Sequence, residues 1–331
     1  MRILVVGGAG YIGSHVAQAL ISRGHQVVAF DNLSTGHRGN VQGEVLFRHG
    51  DILLPETLDT VCREFAFDGL VHLAALKAAG ESMLLPEKYS VHNITGSLNL
   101  IHAAVRHGIR HFVFSSSAAV YGEPAYLPID EKHPTRPENY YGYTKLAIEQ
   151  FLDWYARLKG FHYVALRYFN AAGYDVTGAI TGLEKSPANL FPVVMETAMG
   201  WRPAMQVFGK DYATRDGTGV RDYIHVGDLA VAHAQALEYL ESKGENQIIN
   251  LGSETGLTVL EILRKTKELI QREIPHQIVE RRVGDTASVV ASARYAREIL
   301  GWEAKSSDVD TLVSTTWRAY QKHAAAGGAK P

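Results

Sequence analysis

Met1-Arg2-Ile3-Leu4-Val5-Val6-Gly7-Gly8-Ala9-Gly10-Tyr11-Ile12-Gly13 opens the chain, and its reading decides the fold. The apolar run up to Val6 reads as a buried strand. It breaks into glycines at 7, 10 and 13, and an amphipathic stretch over residues 14–23 follows as a helix. Each glycine has a task on such a turn. Gly7 permits the sharp bend, Gly10 lets backbone approach a pyrophosphate, and Gly13 lets the helix lie close on the sheet. The helix N-terminus offers free N–H groups and a partial positive charge to the phosphates. A glycine pattern alone is a weak signal, but a strand before it and a helix after it are the context it requires. A second strand, residues 26–30, runs into Asp31, about twenty residues on, where a carboxylate can bond the adenosine ribose hydroxyls. That carboxylate would repel a 2′-phosphate, so the site is expected to take NAD rather than NADP.

Beyond this opening the chain has the bulk to fold around a sizeable core. Its 331 residues suffice for one large or two medium domains, and 46% of them are apolar. The net charge of −2 gives no reason to expect nucleic acid or an anionic membrane as partner. One cysteine, Cys62, excludes an internal disulfide and fits a reducing compartment. No signal-peptide pattern precedes the glycine turn and no run of eighteen apolar residues occurs, so a cytoplasmic chain is expected.

Strand and helix patterns alternate through the first half, which implies βαβ units and a parallel sheet with helices on both faces. Strands are expected over residues 46–52, 69–75, 111–117 and 162–169, and long helices over 86–107 and 139–158. After Gly173 the chain becomes turn-rich. The expected fold is α/β, a Rossmann-type doubly wound parallel sheet with a smaller C-terminal α/β substrate-binding region. The NAD-binding domain is expected over 1–174, with 222–251 returning to it, and the substrate-binding domain over 175–331. A helix over 226–242, a strand over 247–251 and a Thr258-x-x-Glu261 capping box opening a helix to Ile270 complete the pattern. The tail, residues 324–331, is expected to fray. His107 and His111 have the spacing of a zinc pair, but Gly108 lies between them at a helix end, so no metal is expected.

Among the tyrosines of Tyr140-Tyr141-Gly142-Tyr143, only Tyr141 has a lysine four residues on, Lys145. On a helix that spacing shares a face. A phenol titrates near pH 10 and is a poor base at neutrality. A neighbouring ammonium and the positive charge of an oxidised nicotinamide would favour phenolate, and bringing its pKa near 7 takes about 4 kcal/mol. Ser115-Ser116-Ser117 ends the expected fifth strand, where a hydroxyl can pass or orient a proton. Alternation alone leaves open which of the three faces inward.

These stretches together carry a resemblance. The glycine turn, Ser115-Ser116-Ser117-Ala118-Ala119-Val120-Tyr121-Gly122, Tyr141-x-x-x-Lys145 and Arg167-Tyr168-Phe169-Asn170 resemble the extended short-chain dehydrogenases/reductases. Residues 76–82, Leu-Lys-Ala-Ala-Gly-Glu-Ser, and 216–225, Asp-Gly-Thr-Gly-Val-Arg-Asp-Tyr-Ile-His, narrow it to the nucleotide-sugar 4-epimerases of that superfamily. The resemblance implies that Tyr141 is the base, Lys145 its partner and a nicotinamide-ribose contact, and Ser117 the proton relay. It implies a tightly bound, recycled NAD lined by Gly7, Gly10, Tyr11, Ile12, Gly13, Asp31, Asn32, Asp51, Ile52, Leu73, Ala74, Lys77, Tyr141, Lys145 and Tyr168. Ser117, Tyr141, Asn170, Asn189, Leu190, Phe208, Arg221, Arg282 and Asp285 would hold a UDP-sugar, the two arginines clamping its diphosphate.

The implied reaction inverts C4 of a UDP-hexose through a transient 4-keto sugar, with no net redox change. Sibling dehydratases tend to carry an acid beside the strand-end serine, where this chain has Ala118 and Ala119. His92 stands before Asn93 where relatives can have asparagine, which bears on one NAD contact. Val289 aligns with a bulky tyrosine in some relatives, so the sugar site is expected to admit UDP-GlcNAc and UDP-GalNAc as well as UDP-glucose and UDP-galactose. The resemblance also implies a homodimer through the two long helices. A nucleotide-sugar dehydrogenase or reductase of the same fold is the alternative enzyme, and an NAD-binding module without catalysis the alternative outside enzymes.

Overall fold

The computed structural model describes residues 1–185, 187, 189–282 and 285–326. In chain order its strands are β1 (Arg2–Val6), β2 (Gln26–Asp31), β3 (Leu46–His49), β4 (Gly69–His72), β5 (His111–Ser117), β6 (His162–Tyr168), β7 (Asn170–Ala172), β8 (Met205–Phe208), β9 (Val220–Arg221), β10 (Tyr223–His225), β11 (Gln247–Leu251), β12 (Leu257–Thr258), β13 (His276–Val279) and β14 (Ser288–Val289). Its helices are α1 (Tyr11–Ser22), α2 (Pro55–Glu64), α3 (Ala79–Leu84), α4 (Pro86–Tyr89), α5 (Gly96–Arg106), α6 (Tyr140–Lys159), α7 (Leu190–Ala198), α8 (Val226–Lys243), α9 (Val259–Ile270), α10 (Arg294–Leu300) and α11 (Val309–Ala325).

Seven strands form one sheet in the order β11-β6-β5-β4-β1-β2-β3, and every pairing in it is parallel. Strands covered on both faces must be apolar throughout, and Ile3, Leu4 and Val5 of β1 have no exposed surface. Helices α1 and α8 cover one face around Val16, Leu20, Leu229 and Leu237. Helices α2, α5 and α6 cover the other around Leu58, Ile101, Ile148 and Leu152. The winding reverses between β1 and β4, so the C-terminal ends of these strands open the crevice where such sheets bind ligands.

From Asn170 onward the chain builds smaller pieces. β7 pairs with β10, β12-β9-β14 form a three-stranded sheet, and β8 pairs with β13. Phe191, Met195, Ile262, Leu312 and Tyr320 make the core beneath them. β11 rejoins the large sheet, in register from Gln247↔Val164 to Leu251↔Tyr168. The Tyr11 phenol donates to the carbonyl of Gly173 and so ties the start of α1 to the turn where the chain leaves the sheet.

Several elements depart from the sequence expectation. Helix α1 starts three residues early, because extended Gly10 takes the cap position. The single helix expected over 86–107 is split, with a π-helical stretch, Ser90–Thr95, between α4 and α5. Buried Asn93 sits in that wide turn. Its Oδ1 accepts the Leu76 N–H at 2.8 Å, and its Nδ2 donates to Leu76 O at 3.0 Å and to Thr144 Oγ1 at 3.1 Å. The strands expected over 46–52 and 69–75 end at His49 and His72, and the residues beyond form loops at the crevice. Helices α10 and α11 fall where no element was expected. Helix α11 runs to Ala325, into the tail expected to fray, and residues 327–331 lie outside the described residues.

Candidate active site

Helix α6 brings the tyrosine and lysine to the end of β5. The Asn139 side chain caps it by accepting the Gly142 N–H at 2.9 Å. Gly142 also allows close approach, since a Cβ there would lie 2.4 Å from the Ala119 carbonyl oxygen. The Tyr141 N–H is held by Ser82 Oγ at 3.0 Å. Its phenol lies beside the Ser117 side chain, whose Oγ accepts the Ala119 N–H at 3.2 Å. Lys145 is 4% exposed and donates to the Ser115 carbonyl at 2.7 Å. Its Nζ lies 5.8 Å from the centroid of the Tyr141 ring.

Burial dominates the electrostatics of the pair. It holds the Tyr141 phenol above its ordinary range, and the Ser117 hydroxyl works against that rise. Burial pushes Lys145 down to about 7, with the Glu149 carboxylate opposing the shift. The protein's own groups therefore keep a neutral phenol beside an amine poised near neutrality. The reason is dryness, which disfavours charge on both groups.

The three serines now separate. Ser115 hydrogen-bonds the Tyr168 hydroxyl, Ser117 meets Tyr141, and Ser116 Oγ donates to Glu149 Oε1 at 2.5 Å. Glu149 is forked by Arg167, with Nε to Oε1 at 2.9 Å and Nη2 to Oε2 at 2.5 Å. Arg167 Nη1 donates to Tyr121 OH at 3.1 Å, and that hydroxyl donates to Asn250 Oδ1 at 2.6 Å. Sequence reasoning missed this buried pair, although Glu149 stands four residues beyond Lys145 and Arg167 lies inside a quoted motif.

Around the glycine turn the residues fit a dinucleotide. Gly7 has φ 83°, and a Cβ on it would lie 2.8 Å from the Ala74 nitrogen, so the β1 and β4 ends approach as closely as backbone allows. No side chain caps α1 at Gly10 and no acid occupies its first turn, which leaves the amides around Tyr11, Ile12 and Gly13 for an anion. Asp31 accepts the N–H groups of Ala9 at 3.0 Å and Leu33 at 2.7 Å. Asn32 Nδ2 donates to Asp51 Oδ2 at 2.9 Å beside buried Ile52. Leu73 is tied to Val6 O at 2.9 Å. Lys77 pairs with Glu184 across the crevice. His92 is partly buried in the π-helical stretch.

A cavity of about 770 Å³ in the smaller region is lined by Asn170, Asn189, Leu190, Phe208, Arg221, Arg282 and Asp285. Asn170 and Ala171 of its wall belong to β7 and stand two and three residues beyond Tyr168, the end of β6, which bonds Ser115. The Arg282 guanidinium lies 3.8 Å from the Phe208 ring centroid, and Arg221 pairs with Asp285. Arg202, held by Glu196, and Gln206 also line the cavity and carried no signal in the sequence. Ser117, Tyr141 and Val289 are not in this lining. Val289 packs beside Val120, Tyr121 and Phe169, next to the Ser117 turn. His107 ends α5 and bonds Asp59 at 2.8 Å, while His111 opens β5. Among the described residues no group of three or more His, Cys, Asp or Glu side chains is placed to hold a metal.

Residues 3–252 match the model of the NAD dependent epimerase/dehydratase family. A UDP-glucose 4-epimerase of Halalkalibacterium halodurans is 44% identical over 324 residues, 98% of this chain and 96% of the relative. The crystal structure of UDP-glucose-4-epimerase from Stenotrophomonas maltophila, with bound NAD and formylated UDP-arabinopyranose, superposes with a TM-score of 0.94 at 40% identity, covering 98% of this chain and 99% of that one. The enzyme from Bifidobacterium longum, in complex with NAD+ and UDP, gives 0.93 at 36% identity, with 98% and 99% covered. By its matched residues and these full-length identities, the chain belongs to the NAD dependent epimerase/dehydratase family.

Proposed function

We propose that the protein is an NAD-dependent UDP-hexose 4-epimerase interconverting UDP-glucose and UDP-galactose. The observation that carries this reading is the gathering of Tyr141, Ser117 and Lys145 at the end of β5, beside a strand that leads to a cavity bearing two arginines. When bound in the glycine-lined crevice, NAD supplies the hydride acceptor and donor and a positive charge beside the phenol. Tyr141 takes and returns the proton at the sugar O4, and Ser117 passes or orients it. Lys145 favours the phenolate and holds the strand end through the Ser115 carbonyl. Arg221 and Arg282 anchor the diphosphate, and Asn189, Leu190 and Phe208 hold the nucleotide end. An anchor at one end of the substrate leaves the hexose free to turn over and present its other face.

Several finer points belong to the same reading. Val289 leaves room beside the sugar C2 substituent, so N-acetylated UDP-hexoses are accepted too. The chain works as an NAD-binding unit over 1–174 with 222–251, and a substrate-binding unit over the rest of 175–331. It is a cytoplasmic homodimer. Leu84, Leu85 and Val91 around α3 to α5, and Tyr143, Trp154 and Leu158 on α6, are exposed apolar side chains that a second copy would cover. Buried, unpaired Cys62 suits a reducing compartment, and no helix among the described residues is long and apolar enough to cross a membrane.

The test is to incubate purified protein with UDP-galactose, without added cofactor, and identify the product. UDP-glucose should form with no change in bulk NADH, whereas a dehydrogenase would need added cofactor and change NADH with turnover. Tyr141→Phe should lower kcat by a factor of about 10²–10⁴ while NAD stays bound. Full activity in that variant would refute the assignment.

A further inference from the structure

Behind the Tyr141–Lys145 pair lies a charge pair the reaction does not touch. Glu149 and Arg167 are 3% and 4% exposed, and their fork joins α6 to β6. Glu149 sits one helical turn beyond Lys145, on the same face. Its Oε1 accepts the Ser116 hydroxyl at 2.5 Å. Ser116 is flanked by Ser115, whose carbonyl holds Lys145 at 2.7 Å, and by Ser117, whose hydroxyl meets Tyr141. One carboxylate thus reaches both reacting side chains through one residue of strand.

A buried ion pair is poor ground for stability, since two apolar residues of like volume often serve as well. A positioning role is the alternative. We propose that Glu149, clamped by Arg167, is a positioning residue of the epimerase site: through Ser116 it fixes the strand end carrying Ser115 and Ser117, and its charge balances the Lys145 ammonium. This rests on the reading of Tyr141 and Lys145 given above.

The groups around Lys145 leave few other sources of negative charge. On α6 it faces Tyr141 and Glu149, and from β5 the Phe114 ring, 4.9 Å from its Nζ, and the Ser115 carbonyl. From β4 it feels His72, which burial keeps neutral at ordinary pH by pushing it down to about 3. From β6 come Tyr168, bonded to Ser115, and Arg167, whose charge is spent on Glu149. Tyr168 is held above its ordinary range by burial. Glu149 is therefore the carboxylate that keeps Lys145 charged as pH rises.

Two variants test this. Ser116→Ala removes one hydroxyl and leaves Glu149 in the Arg167 fork, so the fold should persist. Its kcat should fall about ten- to a hundredfold with KM for UDP-galactose nearly unchanged. The double variant Glu149→Leu with Arg167→Met replaces the pair by apolar groups. Its alkaline limb of kcat should move down by about one pH unit. Lys145, followed by isotope-labelled lysine NMR in the NAD-loaded protein and assigned with Lys145→Met, should titrate lower by the same amount. That measurement involves no turnover, so it tests the inference even if the substrate assignment fails; activity surviving in Tyr141→Phe would break the assignment alone. Wild-type kcat in Ser116→Ala, or an unmoved Lys145 titration in a folded double variant, overturns the proposal. If the double variant does not fold, the kcat of Ser116→Ala decides.

Discussion

Asp31 and Arg221 each stand at the end of a strand, yet they are held by different means. The Asp31 carboxylate is fixed by the backbone N–H groups of Ala9 and Leu33, at the end of a six-residue strand buried in a seven-stranded sheet. Arg221 sits in a two-residue strand and is held by Asp285, far along the chain. Other members of the smaller region repeat the second pattern, with Arg281 on Asp211 at 2.7 Å and Arg202 on Glu196. Backbone N–H groups hold Asp31, while carboxylates hold Arg221 and Arg202 in the lining of the cavity. In the proposed reading such pairs would exchange a carboxylate for the diphosphate of the substrate.

The widest break between the regions should come from acid. His15, His72 and His233 are buried on α1, β4 and α8, and burial pushes them down to about 4, 3 and 4. In the unfolded chain they titrate near 6.5. Below that pH the unfolded state binds protons that the folded state refuses, so stability falls as pH drops from about 6.5 toward 4. With three such groups the slope approaches about 4 kcal/mol per pH unit. The drop belongs to the sheet region, and urea unfolding across that window measures it. Constant stability there would show that these histidines are not buried neutral.

A smaller effect should come from Gly7→Ala, which sets a Cβ 2.8 Å from the Ala74 nitrogen at φ 83°. It should cost about 2–4 kcal/mol and release NAD on purification. Gly24→Ala is the control, with φ 80° and open space around it. It should cost only about 1 kcal/mol and leave NAD bound. Equal melting temperatures for the two variants would remove the close approach from the account. Smaller still, Arg221→Ala should raise KM for the UDP-sugar about ten- to a hundredfold. Its melting temperature and NAD content should stay near those of the parent chain. If NAD were lost instead, the two sites would not be separable as drawn.

What could be read without coordinates follows the same division. The glycine turn, the strand ending at Asp31 and the Tyr141–Lys145 spacing are local patterns, and local geometry places them. Asn189, Phe208, Arg221, Arg282 and Asp285 came from resemblance, and they line one cavity only because distant segments fold together. Nothing local marked Arg202, or the Tyr11 bond to Gly173. Strand alternation could not choose among Ser115, Ser116 and Ser117, because the strand's two faces are both covered and all three positions admit a hydroxyl. The Glu149–Arg167 fork escaped for a related reason: its partners lie on different elements, and charged residues in a sequence read as surface.

The wide turn at Ser90–Thr95 carries a consequence for the helix beyond it. A π-helical stretch accommodates one more residue than regular winding would, and so advances the phase of everything downstream by about 100°. Delete a single residue there and α5 would rotate as a screw, swinging Leu100, Ile101 and Ala104 out of the interior. Asn93 would at the same stroke lose its grip on Leu76 and Thr144. An insertion of one amino acid, mute in composition and hydropathy, thereby sets the azimuth of a whole helix and moors the loop at the mouth of the crevice.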